Sequence, residues 1–248
     1  MSTDLPRLRA ALDRRGGLSR GRVRRIGPAF LLVLTVLLPL AILPALTSHD
    51  DPLDRLALAG ARGPACVRLV ILPDVSGSMA DYAAVRAEAL GQVIAWAPGN
   101  LRPDDEVAVI RWDDRAELVM KPTPVDDLAR VPDRAGRPLG GSGSDVGQAL
   151  KVLAQLAPTV CHTSLIAITD TIVEPLDSST TDQLLRDAGV GGIDVILPLR
   201  TDVSQEWMAT FPSTRMHVAA PDDPTMTARS VGEAVAAATG QSLERRER

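Results

Sequence analysis

The hexapeptide Asp74-Val75-Ser76-Gly77-Ser78-Met79 sets one carboxylate and two hydroxyls at alternate positions. It follows an apolar run, Val67-Arg68-Leu69-Val70-Ile71-Leu72, which predicts a short strand buried over most of its length. A helical apolar pattern begins at Ala80, so the three oxygens stand on a loop where a strand hands over to a helix. Oxygen-only ligands suit a hard divalent cation such as Mg²⁺, Mn²⁺ or Ca²⁺, and do not suit zinc or copper. Taken alone, the same residues equally describe a Ser-rich turn capped by an Asp.

Working outward, apolar runs alternate with helical patterns. Tyr82, Val85, Ala89, Val93 and Trp96 are spaced to bury one face of a helix over Ala80–Trp96, which Pro98-Gly99-Asn100 stops. Glu106–Trp112 and Glu117–Met120 read as strands joined by a tight turn, hence antiparallel. A Pro-, Gly- and charge-rich stretch, Lys121 to Gly143, leads to a helix over Asp145–Leu156. The strand Ser164–Thr169, a helix over Thr181–Ala188 and a strand at Ile193–Leu197 follow. A short helix near Ser204–Thr210, a strand at Met216–Ala219 and a helix over Thr227–Thr239 complete the pattern. Such alternation predicts an α/β fold: a doubly wound, mostly parallel sheet of six strands with one antiparallel edge strand. Ligands of such sheets bind beyond the carboxyl ends of the strands, where Asp74 and Asp170 both stand.

Three loops meet there, carrying Asp74, Ser76 and Ser78; then Gly140-Gly141-Ser142-Gly143-Ser144-Asp145; then Thr169-Asp170. In these three elements and their order the sequence resembles the von Willebrand factor type A domain family, over about residues 66–240. Asp74-Val75-Ser76-Gly77-Ser78 is similar to the family's Asp-x-Ser-x-Ser motif, Gly143-Ser144-Asp145-Val146 to its Gly-Thr-Asp-Ile loop, and Thr169-Asp170 to its Thr-Asp-Gly loop. The resemblance implies a metal-ion-dependent adhesion site for Mg²⁺, Mn²⁺ or Ca²⁺. Ser76, Ser78 and Ser144 would bind the cation directly and Asp74 and Asp170 largely through water, which leaves a position for a partner's carboxylate. Three residues depart from the family pattern: Ser144 for Thr, Thr171 for Gly, and Pro73 directly before Asp74.

The resemblance also makes the strands before Asp74 and Asp170 parallel neighbours. Cys66 lies eight residues before Asp74 and Cys161 nine before Asp170, so both fall at the amino-terminal edge of the sheet. That level placement favours a Cys66–Cys161 disulfide over two buried thiols.

Composition bounds the rest. The 248 residues are 45% hydrophobic, 23% charged and only 2% aromatic, which tilts the fold toward Val, Leu, Ile and Ala packed between helices and a sheet. Residues 1–27 hold eight Arg and two Asp, a balance of +6; since the whole chain carries −4, the remainder carries −10. The basic head, 1–27, is expected to be a cytoplasmic tail. Residues 28–48 are uncharged, and as a helix Ala29–Leu46 would span ~27 Å, the thickness of a bilayer core. Arg20, Arg22, Arg24 and Arg25 precede this run and Asp50, Asp51 and Asp54 follow it, which puts the N-terminus inside and the body outside the cell membrane. The long leader and the poor cleavage site Ala45-Leu46-Thr47 favour an uncleaved anchor over a cleaved signal. Residues 49–65 read as a linker, with Leu53, Leu56 and Leu58 able to form a short helical turn, and 241–248 as a charged tail whose Glu244–Arg248 end is a solvated charge run.

Nothing points to catalysis. Gly141-x-Gly143 lacks a third Gly, no Ser sits in Gly-x-Ser-x-Gly, and His49, His162 and His217 show no metal-helix spacing. Trp112-Asp113-Asp114 reads as a strand end and turn. The expectation is a non-enzymatic, membrane-anchored domain that binds a divalent cation and, through it, an acidic protein ligand, with no nucleic-acid role. A metal-dependent scaffold within a membrane or envelope complex is the alternative.

Overall fold

Seven hydrogen-bonded residues, Val67–Pro73, form the central strand β2, and all seven are buried. A strand covered on both faces has no reason to alternate polar and apolar residues, which is why this run reads as continuous. The structure, a computed structural model, describes residues 51–128, 135, 137–141, 143–198 and 202–246. The basic head, the expected membrane-spanning segment and Ser142 lie outside the described residues. Among the described residues no helix is long and apolar enough to cross a membrane.

β2 is flanked by β3 (Glu106–Trp112) and β5 (His162–Ile168), both parallel to it. β4 (Ala116–Pro124) pairs antiparallel with β3, while β6 (Val190–Leu197) and β7 (Arg215–Val218) extend the other side in parallel. The order β4-β3-β2-β5-β6-β7 is the six-stranded mixed sheet with one antiparallel edge that the sequence predicts. The chain runs from β2 to β3 in one direction and from β5 to β6 in the other. The carboxyl ends of β2 and β5 therefore stand where the strand order reverses, the usual place for a ligand in such sheets.

Helices cover both faces. Against one lie α1 (Ala83–Trp96) and, after a gap filled by α2 (Val146–Ala154), α3 (Ser178–Asp187) and α4 (Gln205–Thr210) on the other face, the C-terminal α5 (Pro224–Thr239). Leu69, Ile71, Val109 and Ile166 meet Leu90 and Val93 of α1 and Val231 and Val235 of α5. Val70, Leu72, Ile110 and Leu165 meet Val146, Leu150 and Leu153 of α2 and Trp207 of α4. Asp223 caps α5 by accepting from the Thr225 and Met226 amides, Pro224 opens it, and Gly240 at φ +73° closes it in the left-handed region.

The segments read as linker and tail are part of the folded unit. Leu53–Arg55 form the expected turn of helix, but Leu56–Ala59 is a strand, β1, paired antiparallel with β8 (Ser242–Arg245). Leu53 is 1% exposed and lies so close to Gly232 of α5 that a Cβ there would sit 2.5 Å from its Cδ1. The Trp96 indole donates to the Leu56 carbonyl at 2.9 Å, fixing β1 to the end of α1. Burial of Leu53 and Leu56 drives this pairing, and the charged side chains of Glu244 and Arg245 in β8 remain exposed.

Cys66 and Cys161 form a disulfide with their Cα atoms 4.8 Å apart. Because Val67 pairs with His162, the preceding residues fall level on neighbouring strands, as the spacing to Asp74 and Asp170 implies.

Candidate metal centre

The first loop is fastened to both neighbours of β2 before it turns. The Asp74 amide donates to the Ile168 carbonyl at 3.0 Å and the Val75 amide to the Trp112 carbonyl at 2.8 Å. The Ser76 amide then donates to Asp74 Oδ1 at 2.9 Å, a local turn that short polar side chains favour. Residues Gly77–Tyr82 continue as a 3₁₀ helix, whose Met79 is fully buried in the apolar core. Ser76 Oγ and Ser78 Oγ lie 3.3 Å apart.

The second loop delivers Ser144, whose Oγ donates to Asp74 Oδ2 at 3.3 Å. Asp113, fully buried in the β3–β4 turn, holds this loop in place. Its Oδ2 accepts from the Gly141 amide at 2.9 Å, and its carbonyl accepts from the Asp145 amide at 2.8 Å. Asp145 itself caps α2 by accepting from the Gly147 amide.

In the third loop, Thr169 Oγ1 donates to Asp74 Oδ2 at 2.7 Å and accepts from the Thr171 amide at 3.0 Å. Asp170 Oδ1 accepts from the Ile172 amide at 3.0 Å. Thr171 stands at φ +64°, the left-handed region where the family pattern has Gly. The backbone therefore keeps the Gly-like turn despite the substitution. Ser204 clamps it: its amide donates to Thr171 Oγ1 at 2.9 Å and its Oγ to the Thr171 carbonyl at 2.5 Å.

Asp74, Ser76, Ser78 and Ser144 are thus joined by hydrogen bonds, and Asp170 stands beside them at the end of the neighbouring strand. The two carboxylates are almost inaccessible, Asp74 at 0% and Asp170 at 2% exposure. Burial pushes the Asp74 carboxyl above its ordinary value; hydrogen bonds from Ser76 and Thr169 work against this, and the charge of Asp170 adds to it. Beneath the loop, Arg86 of α1 is 1% exposed and donates from Nη1 to the Asp74 carbonyl at 2.7 Å. Burial lowers its pKa to about 10, while Asp74 and Tyr82 favour its charge, so it stays protonated at neutral pH.

The donor set is three serine hydroxyls and two buried carboxylates, all oxygen, with the charge of Asp170 adding to the cost of ionising Asp74. It fits a hard divalent cation. Among the described residues no group of three or more His, Cys, Asp or Glu side chains is placed to hold a metal, so a cation here would depend on the hydroxyls.

Two contributors, Asp113 and Arg86, escape sequence reading as parts of the site, and a third, Thr169, is legible only in part. Thr169 was readable from the motif, yet its bond to Asp74 needs the β2–β5 register. Asp113 reads as an ordinary turn residue, and only the fold brings Gly141 onto it. Arg86 lies four positions after Tyr82 on the first helix, where an Arg ordinarily faces water.

A family model described as the von Willebrand factor type A domain matches residues 69–172. No curated protein matches the chain. Among solved structures, a von Willebrand factor type A protein from Catenulispora acidiphila superposes with a TM-score of 0.53 at 20% identity, over 76% of this chain and 49% of its own. Proximal thread matrix protein 1 of the mussel byssus gives 0.50 at 16% identity, over 73% and 48%. The pilus adhesin SpaC of Lactobacillus rhamnosus GG, in its open conformation, gives 0.53 at 11% identity, over 71% and 30%. The chain spans about half the length of the first two. At these identities the likeness is one of fold.

Proposed function

We propose, on the match of the von Willebrand factor type A domain model to residues 69–172, that this chain binds a divalent cation at the Asp74–Ser76–Ser78–Ser144–Asp170 centre and, through the metal, a carboxylate of a protein partner. The observation that carries this is the convergence of three loops on Asp74: Ser144 and Thr169 donate to its Oδ2 and the Ser76 amide to its Oδ1. Ser76, Ser78 and Ser144 would hold the ion, with Asp74 and Asp170 supplying negative charge around it. A cation held mainly by neutral hydroxyls keeps net positive charge, and that charge is what attracts an incoming acidic side chain. The role is that of a binding module, for which Mg²⁺ is the natural occupant and Mn²⁺ or Ca²⁺ the substitutes.

The domain is exported and tethered by residues 28–48. The Arg-rich flank before that segment supports this, and so does the Cys66–Cys161 bridge, since disulfides persist outside the reducing cytoplasm. Copurification with the full-length chain tests the partner. Proteins retained in Mg²⁺, released by EDTA and lost with Ser76→Ala are expected. A retained set that is indifferent to EDTA and to Ser76→Ala would contradict metal-mediated recognition.

A further inference from the structure

Among the described residues, Arg86 is one of the largest fully buried side chains. A leucine or methionine would fill an inward position of α1 without desolvating a charge, so a buried guanidinium calls for a compensating anion. Nη1 bonds the Asp74 carbonyl at 2.7 Å, which places the guanidinium under the loop whose carboxylate is fully buried. Asp74 also has the buried Asp170 as a negative neighbour.

We propose that Arg86 is the internal counter-cation of this centre: its fixed charge steadies the Asp74–Asp170 pair when no metal is bound and opposes the metal when one arrives. A residue outside the ligand set thereby sets the metal affinity. The idea rests on the proposed metal site, but its two halves are separable. Arg86 is a positioning residue in this account, acting on the cation only through Asp74 and through space. Because a guanidinium keeps its proton at any physiological pH, the opposition is permanent. The site is then one that releases its cation readily and does not collapse when it does so.

The test uses the full-length chain. Calorimetric titration with Mg²⁺ should find Arg86→Gln, which keeps a donor for the carbonyl but loses the charge, binding about tenfold more tightly or better, and Arg86→Lys binding like the parent. A purely structural arginine would leave the affinity unmoved, and equal affinities for the parent and Arg86→Gln would overturn the proposal. In EDTA, Arg86→Gln should lower the thermal midpoint of the parent by more than it lowers that of Asp74→Asn. Equal lowering, or loss of the folded state in both backgrounds alike, would contradict the counter-cation role. If the parent binds no Mg²⁺, the metal reading fails, while the comparison in EDTA still decides whether Arg86 neutralises Asp74.

Discussion

Thr171 bears the clearest local strain. A β-branched residue at φ +64° costs of order 1–3 kcal/mol, and persists only where its surroundings hold it. Ser204 does so with two hydrogen bonds while also capping α4 through the Trp207 amide. Ser204→Ala should therefore lower stability by roughly 1–2 kcal/mol in chemical denaturation. In a Thr171→Gly background the loss should shrink toward that of the cap alone; an undiminished loss would show that the clamp does not matter. At this scale the clustering was legible: Asp74, Ser76, Ser78, Ser144 and Asp170 lie on loops that the strand pattern sends to one edge of the sheet, and the structure joins the first four by hydrogen bonds. Thr171 was visible as a departure, but its φ was not, since a threonine in that region is chosen by neighbours such as Ser204 that lie 33 positions away.

Elements were legible where the pattern is local and continuous, as in β2, β3 and β5, and the antiparallel β3–β4 turn followed from its shortness. The β1–β8 pair was not, because Leu56 and Arg245 meet only after the whole sheet is built between them. The carboxyl-terminal side of the sheet shows a second long-range arrangement. His217 of β7 lies 2.9 Å from Asp194 Oδ1 of β6 and 3.6 Å from Glu233 of α5, with Arg215 also on Asp194 and Arg229 on Glu233. Burial alone would lower the His217 pKa, but the hydrogen bonds and charges of Asp194 and Glu233 outweigh it and raise it to about 9. The folded form therefore binds the proton more tightly than the unfolded chain. That stabilisation is complete below the ordinary histidine value and is lost as pH rises through about 9, by roughly 2–3 kcal/mol. Denaturation midpoints should fall between pH 6.5 and pH 9.5 in the parent and fall much less in His217→Gln; parallel profiles would remove His217 as the cause.

For the whole molecule, the sheet order and both apolar layers follow from alternating strand and helix patterns, whereas which segments lie inside the folded unit does not. Residues 51–59 carry three leucines, but the strand that pairs with them, Ser242–Arg245, lies at the far end of the sequence, so nothing local shows that Leu53 and Leu56 are buried in the core. The proposed orientation across a membrane is a separate matter, resting on the charge flanks of residues 28–48. A tag after Arg248 should be cut by protease on intact cells and a tag before Met1 protected; the reverse pattern would overturn the export reading. The central claim is the metal. With Mg²⁺ at about 100 times its dissociation constant, the native state gains roughly 2.7 kcal/mol, and Asp74→Asn or Ser76→Ala should forfeit that gain while keeping the fold. Calorimetric titration of Mg²⁺ and Mn²⁺ into the parent and these two variants measures it directly. One site in the parent and none in either variant is the predicted result; no binding by the parent, or equal binding by all three, would contradict it.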